Sequence, residues 1–475
     1  MKWTFTALMF VFSATVFGQL SKTDLHQNIN DRYEEYSAIA QSIWEYAEVG
    51  FKEYKSSNLL KSLLKKEGFS ILDTVAGMPT AFIASFGTGK PVIALLGEYD
   101  ALPGVSQDKV PYLKILNEKP AGHACGHHLF GTASAAAAIE VKNWLKSSKA
   151  GGTIRFYGTP AEEGGSGKVY LVRENLFRDV DVVLHWHPAD MNGASASPSL
   201  ANKTGKFRFY GIASHAAMSP ERGRSALDGV EAMDAMVNMM REHVPSDARI
   251  HYVITRGGEA PNVVPAFAEV YYYVRHPKAE TVTSIWERIE KAAQGAAMGT
   301  ETRVEWEIIG GVYNLLNNAA ISGLMDKNLR TVGGYTYSPE EKAFAEKIQS
   351  TFKGSLKELS NTMAIAPFTV SEIPWPASTD VGDVSWVVPT AGLSAATWVP
   401  GTAAHSWQAV AAGGTSIGMK GMMVAAKTLA GTAVDLFNGS SLIGEAWKEL
   451  KSRRGENFEY KPMLGDRKPA LDYRN

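Results

Sequence analysis

The chain has 475 residues, of which 45% are hydrophobic and 20% are charged, and its formal net charge is −1. This length exceeds the size at which a single hydrophobic core stops growing, so two domains are expected. The near-neutral charge provides no basic surface to attract nucleic acid or anionic lipid, which argues against a nucleic-acid-binding protein.

The first 18 residues predict a secretory signal peptide. Lys2 supplies a positive charge, residues 3–17 form an uncharged apolar run, and the small residue Gly18 precedes Gln19. The run is short for a membrane span, and an uncleaved anchor is the alternative. We therefore expect an exported protein, periplasmic or secreted, that is free of the membrane after cleavage. Its single cysteine, Cys125, cannot form a disulfide within the chain, so it is either buried and inert or held by a metal.

The segment after the signal predicts helices followed by strands. Apolar periodicity predicts one long helix over residues 21–47, capped by Ser21, and a second over residues 55–66. Strands are predicted at residues 80–85 and 91–96, and the second is continuously apolar, as expected in the middle of a parallel sheet. Glu98 and Asp100 follow it, where open α/β sheets bind ligands, although a solvated turn is the commoner interpretation of such a pair.

A histidine-rich loop, AGHACGHHLFG, covers residues 121–131 and leads into an alanine-rich helix that ends near Leu145. Cys125 and His127 flank a glycine, so both side chains can turn toward one point, as the ligands of a soft divalent metal do. Taken singly, each is more often a buried core residue or a hydrogen-bonded structural histidine.

Two later strands also end in polar side chains. The strand at residues 152–158 is followed by Glu162 and Glu163, which cannot both point the same way along an extended backbone, so one can face a metal and the other a substrate. The strand predicted at residues 180–186 carries His185 and His187 on one face. Three strands that end in this way indicate a ligand site more strongly than any one of them.

The middle of the chain predicts a ferredoxin-like module, because its elements follow the order β-α-β-β-α-β. The predicted strands cover residues 206–211, 250–255, 268–274 and 303–308, and the helices cover residues 225–241 and 280–296. The first helix is rich in methionine, which we interpret as helix packing rather than as ligands, at Met233, Met236, Met239 and Met240.

The last third of the chain resembles the first part in its pattern of predicted helices, loops and strands. We predict a helix at residues 340–352, a loop at 374–386, a strand at 393–398 before His405, and a helix at 416–436. Residues 455–475 are expected to wrap the surface or to be disordered. The predicted division is therefore a signal peptide (1–18), a first catalytic part (19–200), an inserted module (201–310) and a second catalytic part (311–475).

A series of motifs occurs in order: GEYDALP, GHACGHH, TPAEEGG, VVLHWHP, GIASHAAMSPERGRSALDGVEAM, GGEAPNVVP, AHSWQAV and IGMKGM. Together they resemble the aminoacylase and carboxypeptidase-G type family of metal-dependent amidohydrolases, and within it the branch of the p-aminobenzoyl-glutamate hydrolase B subunit. The resemblance implies an α/β fold, with a discontinuous zinc-peptidase-like catalytic domain and an inserted ferredoxin-like α+β lid that also serves dimerisation. It further implies a homodimer through the lid, with a hetero-oligomer containing a related subunit as the alternative.

The same resemblance implies two divalent metal ions per subunit, Zn²⁺ or Mn²⁺. The residues that match the family's metal ligands are Cys125, His127, Glu163, His187 and His405. Glu162 matches the catalytic glutamate, and His215 matches a histidine that reaches the substrate in the partner's site. Asn262 and Arg275 match residues that bind the substrate carboxylate.

Two positions depart from the family pattern. The wider family has a His-x-Asp ligand pair where this chain has Glu98-Tyr99-Asp100, so no ligand is expected there. His128 replaces the usual Asp or Asn, and it is interpreted either as a spare ligand or as a side chain that supports one.

The implied reaction is hydrolysis of the amide bond in an N-acyl amino acid such as an aromatic acyl-glutamate of the p-aminobenzoyl-glutamate type. Metal-bound water is the expected nucleophile, Glu162 the general base and acid, and His215 a donor to the oxyanion. The alternatives are an N-acyl amino acid hydrolase or dipeptidase of the same family, a non-catalytic amide- or peptide-binding protein, and a cysteine hydrolase that uses Cys125 with His127 or His128.

Overall fold

The computed structural model describes residues 19–148 and 150–474. The predicted signal peptide, residues 1–18, lies outside the described residues. Within the described part, no helix combines the length and the apolar character needed to cross a bilayer.

The first segment alternates helices with the strands of a large sheet. Its elements are α1 (Lys22–Asp31), α2 (Tyr33–Tyr46), α3 (Tyr54–Lys66), β1 (Ser70–Asp73), β2 (Phe82–Thr88), β3 (Val92–Gly97), β4 (Leu102–Pro103), β5 (Ala121–Gly122), α4 (His127–Ser147), β6 (Gly152–Gly158), α5 (Glu162–Gly165), α6 (Gly167–Arg173) and β7 (Val182–Ala189).

The helix predicted over residues 21–47 is two helices. Ser21 and Asp24 form the capping box that starts α1. Arg32, with φ −101° and ψ 18°, separates α1 from α2. The preceding residues, Asn30 and Asp31, favour turns over helix interiors because their side chains compete for the backbone, which accounts for the break.

The inserted module consists of β8 (Ala201–Tyr210), α7 (Ala226–Met240), β9 (Arg249–Arg256), β10 (Phe267–His276), α8 (Ala279–Gly299) and β11 (Arg303–Val312). We call these six elements the lid. Its antiparallel sheet has the order β11-β8-β10-β9, and it has a hydrophobic core of its own with α7 and α8. This is the ferredoxin-like order that the sequence predicts.

The methionines of α7 divide between its two sides. Met233 and Met240 are buried in the lid core, as the packing interpretation requires. Met236 and Met239 are 42% and 71% exposed and add little to that core, although the Met236 thioether lies beside Gly295 of α8.

The last segment is largely helical. It comprises α9 (Ala319–Val332), α10 (Pro339–Gln349), α11 (Val381–Val387), β12 (Thr390–Ala396), α12 (Trp407–Gly413), α13 (Ser416–Asn438) and α14 (Ser440–Arg454). The short helix α11 occupies part of the stretch predicted as a loop. Residues 455–474, here called the C-terminal tail, follow α14 and contact both the lid and the rest of the chain.

The large sheet has the order β1-β2-β6-β3-β7-β12. The strands β6, β3, β7 and β12 are parallel, whereas β1 and β2 add an antiparallel edge. All six residues of the central strand β3 are buried, which confirms the buried parallel strand predicted there. Because parallel strands end at the same edge of a sheet, the polar residues after β3 and β6 lie close to those at the end of β7.

Candidate metal centre

The histidine-rich loop turns into α4 at Gly126. This residue has a φ of +79°, and a Cβ atom there would lie 2.6 Å from Cβ of Pro188. Both the backbone conformation and the space therefore require glycine. The turn places Cys125 on one side of Gly126 and His127, the first residue of α4, on the other.

Among the described residues, three groups of side chains have ligand atoms that all lie within 4.8 Å of one another. They are Cys125 with His127 and His187, Cys125 with Glu163 and His405, and His127 with Glu162 and Glu163. Cys125 belongs to the first and second groups, His127 to the first and third, and Glu163 to the second and third, so these residues would hold the ions jointly. The five residues expected as ligands thus lie together, with Glu162 beside them.

The donor atoms of this cluster suit divalent metal ions. Nδ1 of His127 donates to Asp100 Oδ1 at 2.8 Å, and Nδ1 of His187 donates to the Pro188 carbonyl at 2.7 Å, which leaves both Nε2 atoms facing the cluster. The His127 Nε2 and Glu163 Oε1 atoms are buried and make no hydrogen bond within the described residues. Buried lone pairs without partners are costly, and a cation would satisfy them.

Two separations in the cluster have ion-pair length without hydrogen-bond geometry. Glu163 Oε1 lies 3.2 Å from His405 Nε2, and Glu98 Oε2 lies 3.0 Å from His127 Nε2. The angles at these atoms do not meet hydrogen-bond geometry. The Glu163–His405 pair joins two of the expected ligands, whereas Glu98 belongs to none of the three groups of the described residues.

The Glu162–Glu163 pair lies on an irregular turn at the start of α5. Ala161, Gly164 and Ser166 all have positive φ angles. The turn is held by distant groups: the Glu163 N–H donates to Asp100 Oδ2 at 2.9 Å, and the Glu163 carbonyl accepts from the Tyr473 hydroxyl at 2.9 Å. Arg474 also donates to this carbonyl. The C-terminal tail is therefore part of the turn that carries the two carboxylates.

The two adjacent carboxylates have opposite electrostatic environments. Burial and the neighbouring charges of Glu98 and Glu163 hold the pKa of Glu162 well above its usual value. Burial also acts to raise the pKa of Glu163, but the adjacent His405 ring and the charge of His127 outweigh it and lower that pKa. Environments that separate two carboxyl groups in this way are typical of an acid–base residue beside a permanently ionised one.

Sequence reasoning missed a buried row of charges behind the cluster. The Lys168 ammonium lies 2.7 Å from Glu98 Oε1 and 2.6 Å from Asp380 Oδ1, and all three side chains are at most 2% exposed. Asp100 supports His127 and Glu163 rather than adding a ligand to any of the three groups. The sequence hinted at this row only through Lys168, which precedes the apolar residues of α6. Its two partners lie 70 and 212 residues away in the chain, so the pairing could not be predicted.

His128 faces away from the cluster. Its Nε2 atom donates to the carbonyl of Gly413 at 3.0 Å, and burial lowers its pKa to about 3, so the ring is neutral. It belongs to none of the three groups within the described residues. Of the two interpretations, a spare ligand does not fit this orientation.

The expected substrate-binding residues lie at two ends of the lid sheet. His215 and Asn262 are exposed at the tip, where His215 pairs with Val263 and the carbonyl of Asn262 accepts from Ala216. Arg275 lies at the other end of β10, in a cleft that Leu200, Pro374 and Pro376 also line. The fold thus brings the five expected ligands and Glu162 together but leaves His215 and Asn262 outside the metal-competent groups of the described chain.

Comparisons with known proteins agree with this arrangement. Residues 201–301 match the peptidase dimerisation domain family. The chain is 44% identical over 457 residues to the B subunit of p-aminobenzoyl-glutamate hydrolase from Escherichia coli (strain K12), an alignment that covers 90% of this chain and 95% of that protein. It is 28% identical over 453 residues to the Xaa-Arg dipeptidase of Mus musculus, with 92% of this chain and 94% of that protein covered.

Solved structures show the same fold. An aminobenzoyl-glutamate utilization protein from Klebsiella pneumoniae has a TM-score of 0.61 at 18% identity, covering 86% of this chain and 98% of that one. A dinuclear metal-binding peptidase of the M20 family from Bacillus subtilis has a TM-score of 0.55 at 17% identity, covering 88% and 99%. At such identities the likeness concerns the fold alone.

Proposed function

Because this chain belongs to the M20 family of metal-dependent peptidases and amidohydrolases, we propose that it hydrolyses N-acyl amino acids, with aromatic acyl-glutamates of the p-aminobenzoyl-glutamate type as its substrates. One observation supports the proposed hydrolytic role most directly. The Glu162 carboxylate lies within 4.8 Å of ligand atoms of His127 and Glu163, and no hydrogen bond or ion pair within the described residues holds it. A carboxylate in that position is free to accept and return a proton.

Different residues of the chain have different roles in the proposed amide hydrolysis. Two divalent ions held by Cys125, His127, Glu163, His187 and His405 would activate water and polarise the scissile carbonyl when bound. Glu162 takes a proton from the attacking water and delivers it to the departing nitrogen, a role for which its raised pKa is suited. Thiolate and imidazole ligands favour zinc, whereas the carboxylates are compatible with manganese, so both are proposed.

Replacement of Glu162 tests this assignment. We expect Glu162→Gln to lower kcat by about a hundredfold to ten-thousandfold, because the proton carrier is lost while the five ligands stay. Metal content, measured by plasma mass spectrometry, should match the wild type. Glu118→Gln, an exposed glutamate, is the matched control and should keep full activity. Retention of more than a few per cent of wild-type activity by Glu162→Gln would overturn the role.

The alternative functions give different results in simple assays. A cysteine hydrolase would be inactivated by alkylation and unaffected by chelators, but Cys125 is 7% exposed and burial raises its pKa, whereas nucleophilic cysteines need a lowered one. A non-catalytic binding protein would bind no transition metal. The similarity to an Xaa-Arg dipeptidase keeps dipeptides as a second substrate class, which a panel of acyl-glutamates, other N-acyl amino acids and dipeptides would separate.

We further propose that two copies associate through the lid. The match to a peptidase dimerisation domain supports this, as does β9, an edge strand on which Tyr252, Val253 and Ile254 are exposed. A hetero-oligomer with a related subunit is the alternative, since the Escherichia coli relative is by its name one subunit of its enzyme. Export through residues 1–18, and the domain division at residues 200 and 310, also remain proposals.

A further inference from the structure

Two arginines face each other on the lid sheet. Arg249 of β9 is the direct cross-strand partner of Arg275 of β10, so their side chains emerge side by side on one face. Like charges placed opposite each other in this way repel and destabilise the strand pair unless an anion lies between them. The placement of two arginines opposite each other therefore suggests that an anion binds between them.

No acidic side chain of the described chain neutralises this pair. Arg249 donates only to the backbone carbonyls of Ser246 and Ala248, and Arg275 lies over the ring of Tyr273 at 5.5 Å. Asp247 is the one nearby carboxylate, and it is paired with Nε2 of His276 at 3.0 Å. Most of the hydrogen-bonding capacity of both guanidinium groups therefore remains open to a ligand.

The pair lines an open cleft between the lid sheet and the rest of the chain. The cleft has a volume of about 850 Å³, within the usual range for small-molecule sites, and Tyr271 and Tyr273 form its lid side. Pro374 and Pro376 form the opposite wall, which is fixed by a hydrogen bond from the Trp375 N–H to the Pro198 carbonyl at 2.8 Å.

Side chains near both walls of the cleft are linked by ion pairs or hydrogen bonds to residues around the metal centre. The proline wall continues to Asp380, whose partner Lys168 also pairs with Glu98 beside His127. On the lid side, Tyr271 lies within range of the positive charge of Arg474, and Arg474 donates to the Glu163 carbonyl. These contacts link residues near the two walls to residues around the metal centre, whereas the cleft lining itself contains none of the five expected ligands.

We propose that Arg249 and Arg275 bind the two carboxylates of an acyl-glutamate, with Arg275 on the main-chain carboxylate and Arg249 on the side-chain carboxylate. The proposal rests on the proposed function and deepens it by naming a specificity residue. A single carboxylate satisfies one guanidinium fork and leaves the other cation without a counterion, whereas a dicarboxylate neutralises both. The pair therefore selects glutamate over neutral amino acids on the amine side of the scissile bond.

The test compares two substrates of equal size on the metal-loaded enzyme. We expect the wild type to favour p-aminobenzoyl-glutamate over p-aminobenzoyl-glutamine by about 10- to 100-fold in kcat/KM, the contribution of one charge-assisted hydrogen-bonded contact. In Arg249→Gln this ratio should fall to about 1, mainly through a higher KM for the glutamate substrate. Arg256→Gln, on the same strand but paired with Glu259, is the matched control and should keep the wild-type ratio.

A binding measurement separates this inference from the proposed function. Calorimetry on the metal-loaded protein should show that glutarate binds more tightly than butyrate to the wild type and equally to Arg249→Gln. If no acyl amino acid is cleaved but this difference is present, the proposed function fails and the dicarboxylate subsite stands. If Arg249→Gln keeps the substrate ratio and the preference for glutarate, the subsite is overturned while the hydrolytic function is untouched.

Discussion

At the scale of single residues, Asp100 has more influence on the metal centre than its position in the sequence suggests. One carboxylate oxygen accepts from His127 Nδ1 and the other from the Glu163 N–H, at 2.8 and 2.9 Å. Asp100, which was not expected to be a ligand, thus orients the His127 side chain and the backbone of Glu163. Its burial among charges makes it intolerant of neutral replacement.

Asp100→Asn should weaken metal binding by about 10- to 100-fold, the usual effect of losing a hydrogen-bonded support of a ligand. An amide in place of the carboxylate retains at most one of the two acceptors and removes the charge opposite His127. Competition with a chromophoric chelator measures the change in affinity. Asp73→Asn, at an exposed ion pair with Lys61, is the control and should bind metal normally. Wild-type affinity in Asp100→Asn would show that the ligands do not depend on this support.

At the scale of secondary-structure elements, the C-terminal tail completes the turn that carries the catalytic carboxylates. Its path is fixed by Arg173, which donates to the carbonyl of Arg467 at 2.7 Å, and by Met463, which is buried against the lid. It ends with Tyr473 packed on Phe51, with ring centroids 5.7 Å apart, and bonded to the Glu163 carbonyl. Of the two expectations for residues 455–475, wrapping is what the described part of the tail shows.

Tyr473→Phe should lower kcat by about tenfold with little change in KM, because the ring still packs but the Glu163 carbonyl loses a donor and the turn shifts. Steady-state kinetics and metal analysis on the same preparation measure this. Tyr112→Phe, at a tyrosine that is 58% exposed, provides the comparison. An unchanged kcat would mean that the turn is held without the tail, and a fall in metal content would place the effect on the ligands.

At the scale of the whole molecule, His215 belongs to none of the metal-competent groups of the described chain, and we propose that it acts in a site shared between subunits. His215 and Asn262 lie at the exposed tip of the lid, and β9 beside them offers an unpaired edge. If a second copy pairs along that edge, each lid tip can approach the other subunit's metal centre. This arrangement is the one that the family resemblance implies.

Mixing two inactive variants tests the shared site. Glu162→Gln and His215→Ala should each be inactive, yet a hybrid dimer contains one site with both native residues. After subunit exchange at equal amounts, about a quarter of wild-type activity is expected, since half of the dimers are hybrids and each has one good site. Exchange is verified by mass spectrometry of differently tagged subunits. Complete inactivity of verified hybrids would mean that His215 serves its own chain or none.

Features that depend on neighbouring residues could be predicted from the sequence alone. The buried run of β3, the glycine between Cys125 and His127, and the order of the lid elements are local patterns, and each predicts a structure without knowledge of distant segments. The order of the motifs along the chain also indicated the family to which it belongs. The proximity of Glu163 and His187 follows from parallel strands that end at one edge, whereas the ligand roles of Cys125, His127 and His405 were implied by the family resemblance.

The distant groups that support the site could be identified only in the folded chain. The pairing of Lys168 with Glu98 and Asp380, the bond from Tyr473 to the Glu163 carbonyl, and the orientation of His128 toward Gly413 join segments 70 to 310 residues apart. The opposition of Arg249 and Arg275 depends on the register of β9 on β10. Such contacts are set by packing and strand register, which leave no periodic signal in the chain, and a shift of one residue would send these side chains to the other face.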